Sequence, residues 1–363
     1  MKKVLQVMDG LGRGGVQTFV MNNIEELYNN DIICDFMIRR NNSVYTEEIE
    51  KYGGKIILTA KFPQHILLNW IQTKRYLKKH SNEYCAIHVH ANALLYLLPL
   101  KFAKKYGIPI RIVHSHNTQT RIPILKSVHL FNRKRIGKLC TNYFACGKDA
   151  GEWMFGKQRY DIIKNCIDEK KFGFNEKNRA VVRHEFSISD SSILIGHVGA
   201  INRQKNHTFI IDIFKEYLNI HKEAKLILFG VGDLEDNIKQ KVKNLGLEDN
   251  VIFAGARGDI YKYYHAMDAF LFPSLFEGLP FSLIEAQMTG LPSLVSDVIT
   301  DECVVTNLIY KMSLEQKAIE WAYKLEELVN MNVNRIDYSK IVSDAGYGIK
   351  SSAKKLADVY NGR

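Results

Sequence analysis

Apolar residues arrive along this chain in short runs, separated by longer stretches where they recur every third or fourth position. "KVLQVMD" has the continuous character of a buried strand, whereas "VQTFVMNNIEELYNN" places Val16, Phe19, Val20, Ile24 and Leu27 on one face of a helix. "CDFMI", "KIILT", "AIHVH", "IRIVHSH" and "TNYFAC" read as further strands, with "ILLNWIQTKRYLKKH" and "LLPLKFAKKYG" as helices among them. Residues 164–192 are polar and largely charged, break the alternation, and read as a linker. It restarts with "ILIGHVGA", a helix from about His207 to His221, "AKLILFGVG", "VIFAGA", "AFLFPS" and "SLVSD". Buried runs alternating with helices predict parallel sheets with crossover helices, so the fold class is α/β. A length of 363 residues exceeds one ordinary core, and two doubly wound domains in tandem are expected.

Charge adds to this picture. The net charge of +11 is uneven: no acid occurs between Glu83 and Asp149, a window holding eleven Lys and Arg. Such a segment attracts anionic partners: lipid, nucleic acid or phosphorylated substrates. No apolar run approaches the ~20 residues needed to span a bilayer, and "MKKVLQVMDG" does not read as a secretion signal. Six cysteines without a C-x-x-C pair suggest free thiols, which points to the cytoplasm.

In doubly wound sheets ligands bind beyond the carboxyl ends of the strands, so three loops carry the candidate chemistry. The first, "DGLGRGGVQTF", satisfies G-x-G-x-x-G with Gly10, Gly12 and Gly15. A dinucleotide site would also need an acid closing the second strand; Asp35 opens it, and Arg39 and Arg40 close it. The glycines imply a close backbone approach, or a tight strand–helix turn. The second, "GHVGAINRQKNHTFI", sets Arg203 and Lys205 just before a helix, where cations and free N–H groups can clamp a diphosphate. The third, "LFEGLPFSLIEAQMTGLP", holds Glu277 and Glu285 eight positions apart. Ser282 and Glu285 match the S-x-x-E capping box, so Glu285 has a structural reading as well. Glu277, at a strand end before Gly278 and Pro280, has none. Two acids and a helix N-terminus grip hydroxyls and phosphate together, which is what a sugar nucleotide offers.

The E-x7-E of "PSLFEGLPFSLIEA" resembles the motif of retaining glycosyltransferases of family 4. "GRGGVQTF" resembles that family's N-terminal glycine loop, "HSHN" its histidine loop, "NCIDEKKF" the segment joining its domains, and "GHVGAINRQKNH" its G-R-x-x-x-Q-K-N-H. The resemblance runs nearly the whole chain and is strongest to bacterial enzymes that build capsular or exopolysaccharide repeat units. It implies the GT-B fold: two Rossmann-like domains, 1–166 on the acceptor side and 167–345 binding the nucleotide sugar, facing a central cleft. Residues 346–363 would form a helix crossing back to the first domain.

What the resemblance implies falls on particular residues. Lys205 would clamp the donor diphosphate with backbone N–H groups near Leu283, and Arg203 would replace the family's arginine, which is Ala200 here. Glu285 would bind ribose hydroxyls. Glu277, Gly278, Leu279, Pro280 and Phe281, followed by Ser282, would hold the donor sugar. His114 matches the family histidine near that sugar, ahead of His116; Gly14 and Gly15 would face the diphosphate or acceptor, and Arg257 the base. The implied reaction moves a sugar from a nucleoside diphosphate, UDP above others, to a glycan hydroxyl with retention. No D-x-D motif occurs, so no metal or cofactor is expected. The acceptor would be lipid-linked, and residues 121–138 would rest on an anionic inner membrane surface; no nucleic-acid motif is read. Three other readings were open. A nicotinamide oxidoreductase leaves E-x7-E unexplained, a nucleotide-sugar epimerase shares the fold, and Ala200 keeps a non-catalytic partner subunit in view.

Overall fold

The computed structural model describes residues 1–363 except 13, 118–121 and 278. The chain divides into two compact units, Met1–Cys166 with Ile349–Arg363, and Ile167–Gly348.

The first unit is built on seven parallel strands: β1 (Lys2–Val7), β2 (Ile32–Ile38), β3 (Ile56–Leu58), β4 (Tyr84–Ala91), β5 (Ile110–Ser115), β6 (Asn142–Ala145) and β7 (Asp161–Ile162). Their order is β3-β2-β1-β4-β5-β6-β7, so the direction of winding reverses between β1 and β4. Buried residues crowd both faces, as a sheet covered by helices on each side requires: Val4, Leu5, Phe36, Met37, Ile87 and Ile112 are all at 0% exposure. Asp35 lies inside β2, wholly buried, where it accepts hydrogen bonds from Tyr84 Oη (2.8 Å) and the Lys55 N–H (3.0 Å). It ties strands together and is not exposed for a ribose. The helix Ile349–Tyr360 packs into this unit through Tyr360, whose hydroxyl lies 2.6 Å from His88 Nδ1 and accepts from Gln6 Nε2 at 3.2 Å.

The second unit has six parallel strands, β8 (Leu194–Val198), β9 (Lys225–Phe229), β10 (Val251–Gly255), β11 (Ala269–Phe272), β12 (Ser293–Ser296) and β13 (Ile309–Met312), in the order β10-β9-β8-β11-β12-β13. Here the reversal falls between β8 and β11. Residues 164–192 are not an open linker: they contain helices Glu169–Phe172 and Glu176–Glu185. The charges that suggested a linker anchor the second of these helices. Arg179 and Arg183 reach Asp268 at 2.7 and 3.2 Å, and Arg183 is 2% exposed.

Candidate functional site

At the switch point of the second unit, the loop after β8 is fastened residue by residue to the end of β11. Gln204 Nε2 donates to Glu277 Oε2 at 3.1 Å, and Lys205 Nζ to Glu277 Oε1 at 2.6 Å. Asn206 Nδ2 donates to the Pro273 carbonyl at 3.1 Å, and the Leu275 N–H to the Gln204 carbonyl at 2.8 Å. Asn206 sits in the left-handed region at φ 56°, which asparagine tolerates better than most residues and which turns the chain into helix His207–Tyr217. Gly230, at φ 136°, lets the loop after β9 pass directly beneath this one: a Cβ there would lie 2.0 Å from the Gly199 carbonyl oxygen.

Glu277 and Lys205 therefore form one unit, with side chains 6% and 14% exposed. The Lys205 ammonium also stands 4.5 Å from the centre of the Phe272 ring. The sequence suggested both residues, but not their pairing or the part of Gln204, because seventy-odd residues separate the partners and no spacing rule connects them. Arg203 is exposed, and no hydrogen bond or ion pair joins its guanidinium to the pair among the described residues. Gly278 lies outside the described residues. Leu279 is half-buried and Pro280 buried.

Pro280 is the N-cap of helix Phe281–Met288, with no side-chain cap, so the capping box expected of Ser282 and Glu285 does not form. Ser282 is already inside the helix. Glu285 instead accepts from Tyr264 Oη at 2.9 Å, a hydroxyl that also lies 3.1 Å from the Ser282 carbonyl. Burial pushes the Glu285 carboxyl up to about 7, while the Tyr264 hydrogen bond works the other way. Leu283 is fully buried, and its N–H reaches the Pro280 carbonyl at 3.3 Å. The first-turn N–H groups before it have no intrahelical acceptor. Arg257, at the sheet edge beyond β10, donates from Nε to the Ala254 carbonyl at 3.1 Å and lies 3.9 Å from Glu185.

In the first unit Gly14 is the N-cap of helix Gly15–Asn29, which begins at Gly15. The glycine loop leans on the chain's own Asn42: its Oδ1 accepts the Leu11 N–H at 3.2 Å, and Cβ atoms on Gly10 and Gly12 would lie 2.3 and 3.0 Å from its amide. His114 is in β5 at 0% exposure, its ring 4.1 Å from His116 and 5.3 Å from His88. His88, His90 and His114 bring their nitrogens within 4.8 Å of one another, close enough for a metal. Only His90 has both nitrogens engaged; His88 Nε2 and both His114 nitrogens have no hydrogen-bond partner among the described residues. His90 Nε2 donates to Gln6 Oε1 at 2.9 Å, so neutral His90 accepts from His116 at Nδ1 (2.9 Å). The Tyr360 hydroxyl, an acceptor from Gln6, shares a hydrogen bond of 2.6 Å with His88 Nδ1. Burial holds the His88 pKa down to about 3 and those of His90 and His114 well below the ordinary value, which keeps the cluster neutral. Beside it, a cavity of about 600 Å³ is lined by Asp9, Gln17, Arg39, His90, Tyr96 and Asn117, among others. His90 was not singled out by sequence; the repeat of "HVH" beside "HSH" on neighbouring strands is the signal that marks it.

Residues 178–343 match the family described as glycosyl transferases group 1. Over 99% of this chain and 96% of its own length, EpsF of Bacillus subtilis (strain 168), assigned as a glycosyltransferase, is 29% identical. An Escherichia coli UDP-Gal:alpha-D-GlcNAc-diphosphoundecaprenol alpha-1,3-galactosyltransferase is 25% identical over 80% of this chain and 78% of its own. Among solved structures, Anabaena HepE in complex with UDP superposes at a TM-score of 0.77 with 14% identity, covering all of both chains. That likeness, with two parallel-sheet units, establishes the GT-B fold. Match and fold agree: residues 178–343 are similar to the glycosyl transferases of group 1, and they lie in a chain of GT-B fold.

Proposed function

We propose that this enzyme transfers a sugar from a nucleoside diphosphate sugar, UDP-linked above others, to a hydroxyl of a lipid-linked glycan acceptor with retention, in exopolysaccharide or capsule synthesis. The observation that carries the reading is the Glu277–Lys205 pair, pinned by Gln204 at the switch point where doubly wound sheets bind ligands. Lys205 supplies the fixed positive charge for the leaving diphosphate, aided by the first-turn N–H groups of helix Phe281–Met288 and by Arg203 from the loop surface. Glu277 holds Lys205 in place and accepts from donor-sugar hydroxyls, alongside backbone from Gly278 to Phe281. Glu285 takes the ribose hydroxyls. Gly14 and Gly15 line the approach, Arg257 is assigned to the base, and His114 to the sugar. The first-unit cavity is the acceptor site, with Arg39 its anion partner: the guanidinium lies 3.2 Å from Asp9 and 4.3 Å from the Tyr96 ring centre, and its Nε has no partner. The relatives' names support a lipid-linked acceptor, because the E. coli enzyme acts on a diphosphoundecaprenol sugar.

A thermal-shift screen across UDP, GDP and their common sugars tests the donor. A ligand at a hundred times its dissociation constant should stabilise the protein by about 2.7 kcal/mol. No shift with any nucleotide overturns the reading.

Glu285 adds a pH dependence. A ribose hydroxyl donates to the ionised carboxylate, and the folded protein keeps Glu285 protonated up to about 7. UDP affinity should fall as pH drops from 8 to 6, approaching tenfold per unit below the midpoint. Without ligand the linkage has the opposite sense. The folded state binds this proton more tightly than the unfolded state, so the stability it contributes is present at pH 4 and is lost as pH rises through about 7. Glu285→Gln should flatten both profiles. A UDP titration with one affinity at pH 6 and pH 8 would remove Glu285 from the ribose.

A further inference from the structure

Helix Ile66–His80 presents its apolar residues outward. Its buried positions are Asn69, Thr73 and Leu77, and the first two are polar. Asn69 donates to the Ala60 carbonyl at 2.7 Å and accepts from Tyr96 Oη at 2.9 Å; Thr73 lies 3.3 Å from the same hydroxyl. The outward positions are Ile66, Leu67, Leu68, Trp70 and Ile71, between 37% and 72% exposed. Such a contiguous apolar face marks a partner. A second ridge stands on and before helix Pro123–Arg133: Ile122, Ile124, Val128 and Phe131 are 53%, 71%, 41% and 53% exposed. The two ridges flank one feature. Phe62 and Pro63, which lead into the first helix, and Leu125 and Val128, on the second, all line the acceptor cavity.

Charge selects the partner. From Lys51 to Lys148 the sole acidic residue is Glu83, against eighteen Lys and Arg. Each ridge also carries a cation against an exposed ring: Lys74 Nζ lies 4.5 Å from the Trp70 centroid, and the Arg135 guanidinium 3.8 Å from that of Phe131. An aromatic ring with its cation beside it suits a headgroup boundary, where apolar and phosphate levels lie a few ångströms apart. A protein partner would match the apolar face without calling for this excess of positive charge.

We propose that Ile66–Ile71 and Ile122–Phe131 form a two-part rim that dips into the headgroup region of an anionic bilayer, with the mouth of the acceptor cavity between them turned to the lipid. This rests on the lipid-linked acceptor reading and deepens it: the acceptor enters the cavity from the plane of the membrane. The full chain is sedimented with vesicles of phosphatidylcholine alone or mixed with phosphatidylglycerol, and tryptophan emission is followed in parallel. Binding should require the anionic lipid, weaken as salt rises, and shift emission to the blue; Trp70→Phe should remove most of that shift. Leu67→Glu with Ile71→Glu should lower the bound fraction roughly tenfold or more at an unchanged thermal midpoint, since both side chains are exposed. Equal sedimentation of this variant and the wild type overturns the proposal. So does a wild-type dimer that the same variant turns into a monomer without loss of vesicle binding, which would make the face an interface between copies. A protein that binds UDP while its vesicle binding ignores Leu67 and Ile71 fails here and leaves the donor assignment standing; the reverse pattern does the opposite.

Discussion

Glu277→Ala should lower the unfolding midpoint as well as stop transfer. Sequence alone assigned Glu277 a purely functional role, with folding intact when it is removed. The ion pair changes that expectation. Lys205 is 14% exposed and its ammonium is 2.6 Å from Glu277, so deleting the carboxylate strands a charge that water reaches poorly. Breaking a buried pair from one side typically costs about 3–5 kcal/mol. Gln204 loses its acceptor too, and with it one of the tethers between the loop after β8 and the end of β11. On the proposed mechanism, transfer falls by at least about 100-fold, because the cation facing the leaving diphosphate is no longer held in position. Glu277→Gln grades the two effects: its amide oxygen can still accept from Lys205 but leaves that charge uncompensated, so its stability should fall between those of the alanine variant and the wild type while the charge facing the sugar is gone. Denaturant titrations of both variants, read beside turnover, check this. An alanine variant with the wild-type midpoint would mean that Lys205 is solvated on its own.

What the sequence made legible follows from the range of the interactions involved. Strand and helix positions depend on local periodicity, and helix Ile66–His80 was readable to the residue as "ILLNWIQTKRYLKKH". Which side of that helix faces the core was not readable, because its buried stripe begins with Asn69 and Thr73. Satisfying Tyr96 reverses the usual pattern there. The stretch at 164–192 misled for a related reason: Arg179 and Arg183 look like linker charges until Asp268, more than eighty residues on, is brought against them. β7 and β13 were missed, the first being two residues long and the second only half-buried. At the candidate site, residue types pointed to Glu277, Lys205 and Glu285. The pair, the Tyr264 hydroxyl and the absent capping box all depend on tertiary neighbours.

Lys205 and Arg203 should part company when salt is varied. If Arg203 stands in for the arginine missing at Ala200, removing either cation would weaken UDP binding alike. Their settings differ. Lys205 is fixed between Glu277 and the Phe272 ring, whereas Arg203 is exposed. A cation in water acts through a field screened over about 8 Å at physiological ionic strength, while one at a largely buried contact is screened much less. Arg203→Ala should therefore weaken UDP binding several-fold at low salt and by little at about 0.5 M, mostly through slower association. Lys205→Ala should weaken it at both, with transfer down about 100–1000-fold, the usual loss for a donor aimed at developing charge. Lys205→Ala also strands Glu277, so it should destabilise the fold as Glu277→Ala does. Removing both residues leaves neither charge buried alone. The double variant should be more stable than the two single losses summed would give, yet no more active, and that difference is the coupling between the pair. Calorimetric UDP titrations at two salt concentrations decide the first point: equal, salt-independent losses for Arg203→Ala and Lys205→Ala would show Arg203 closing onto the diphosphate as a full replacement.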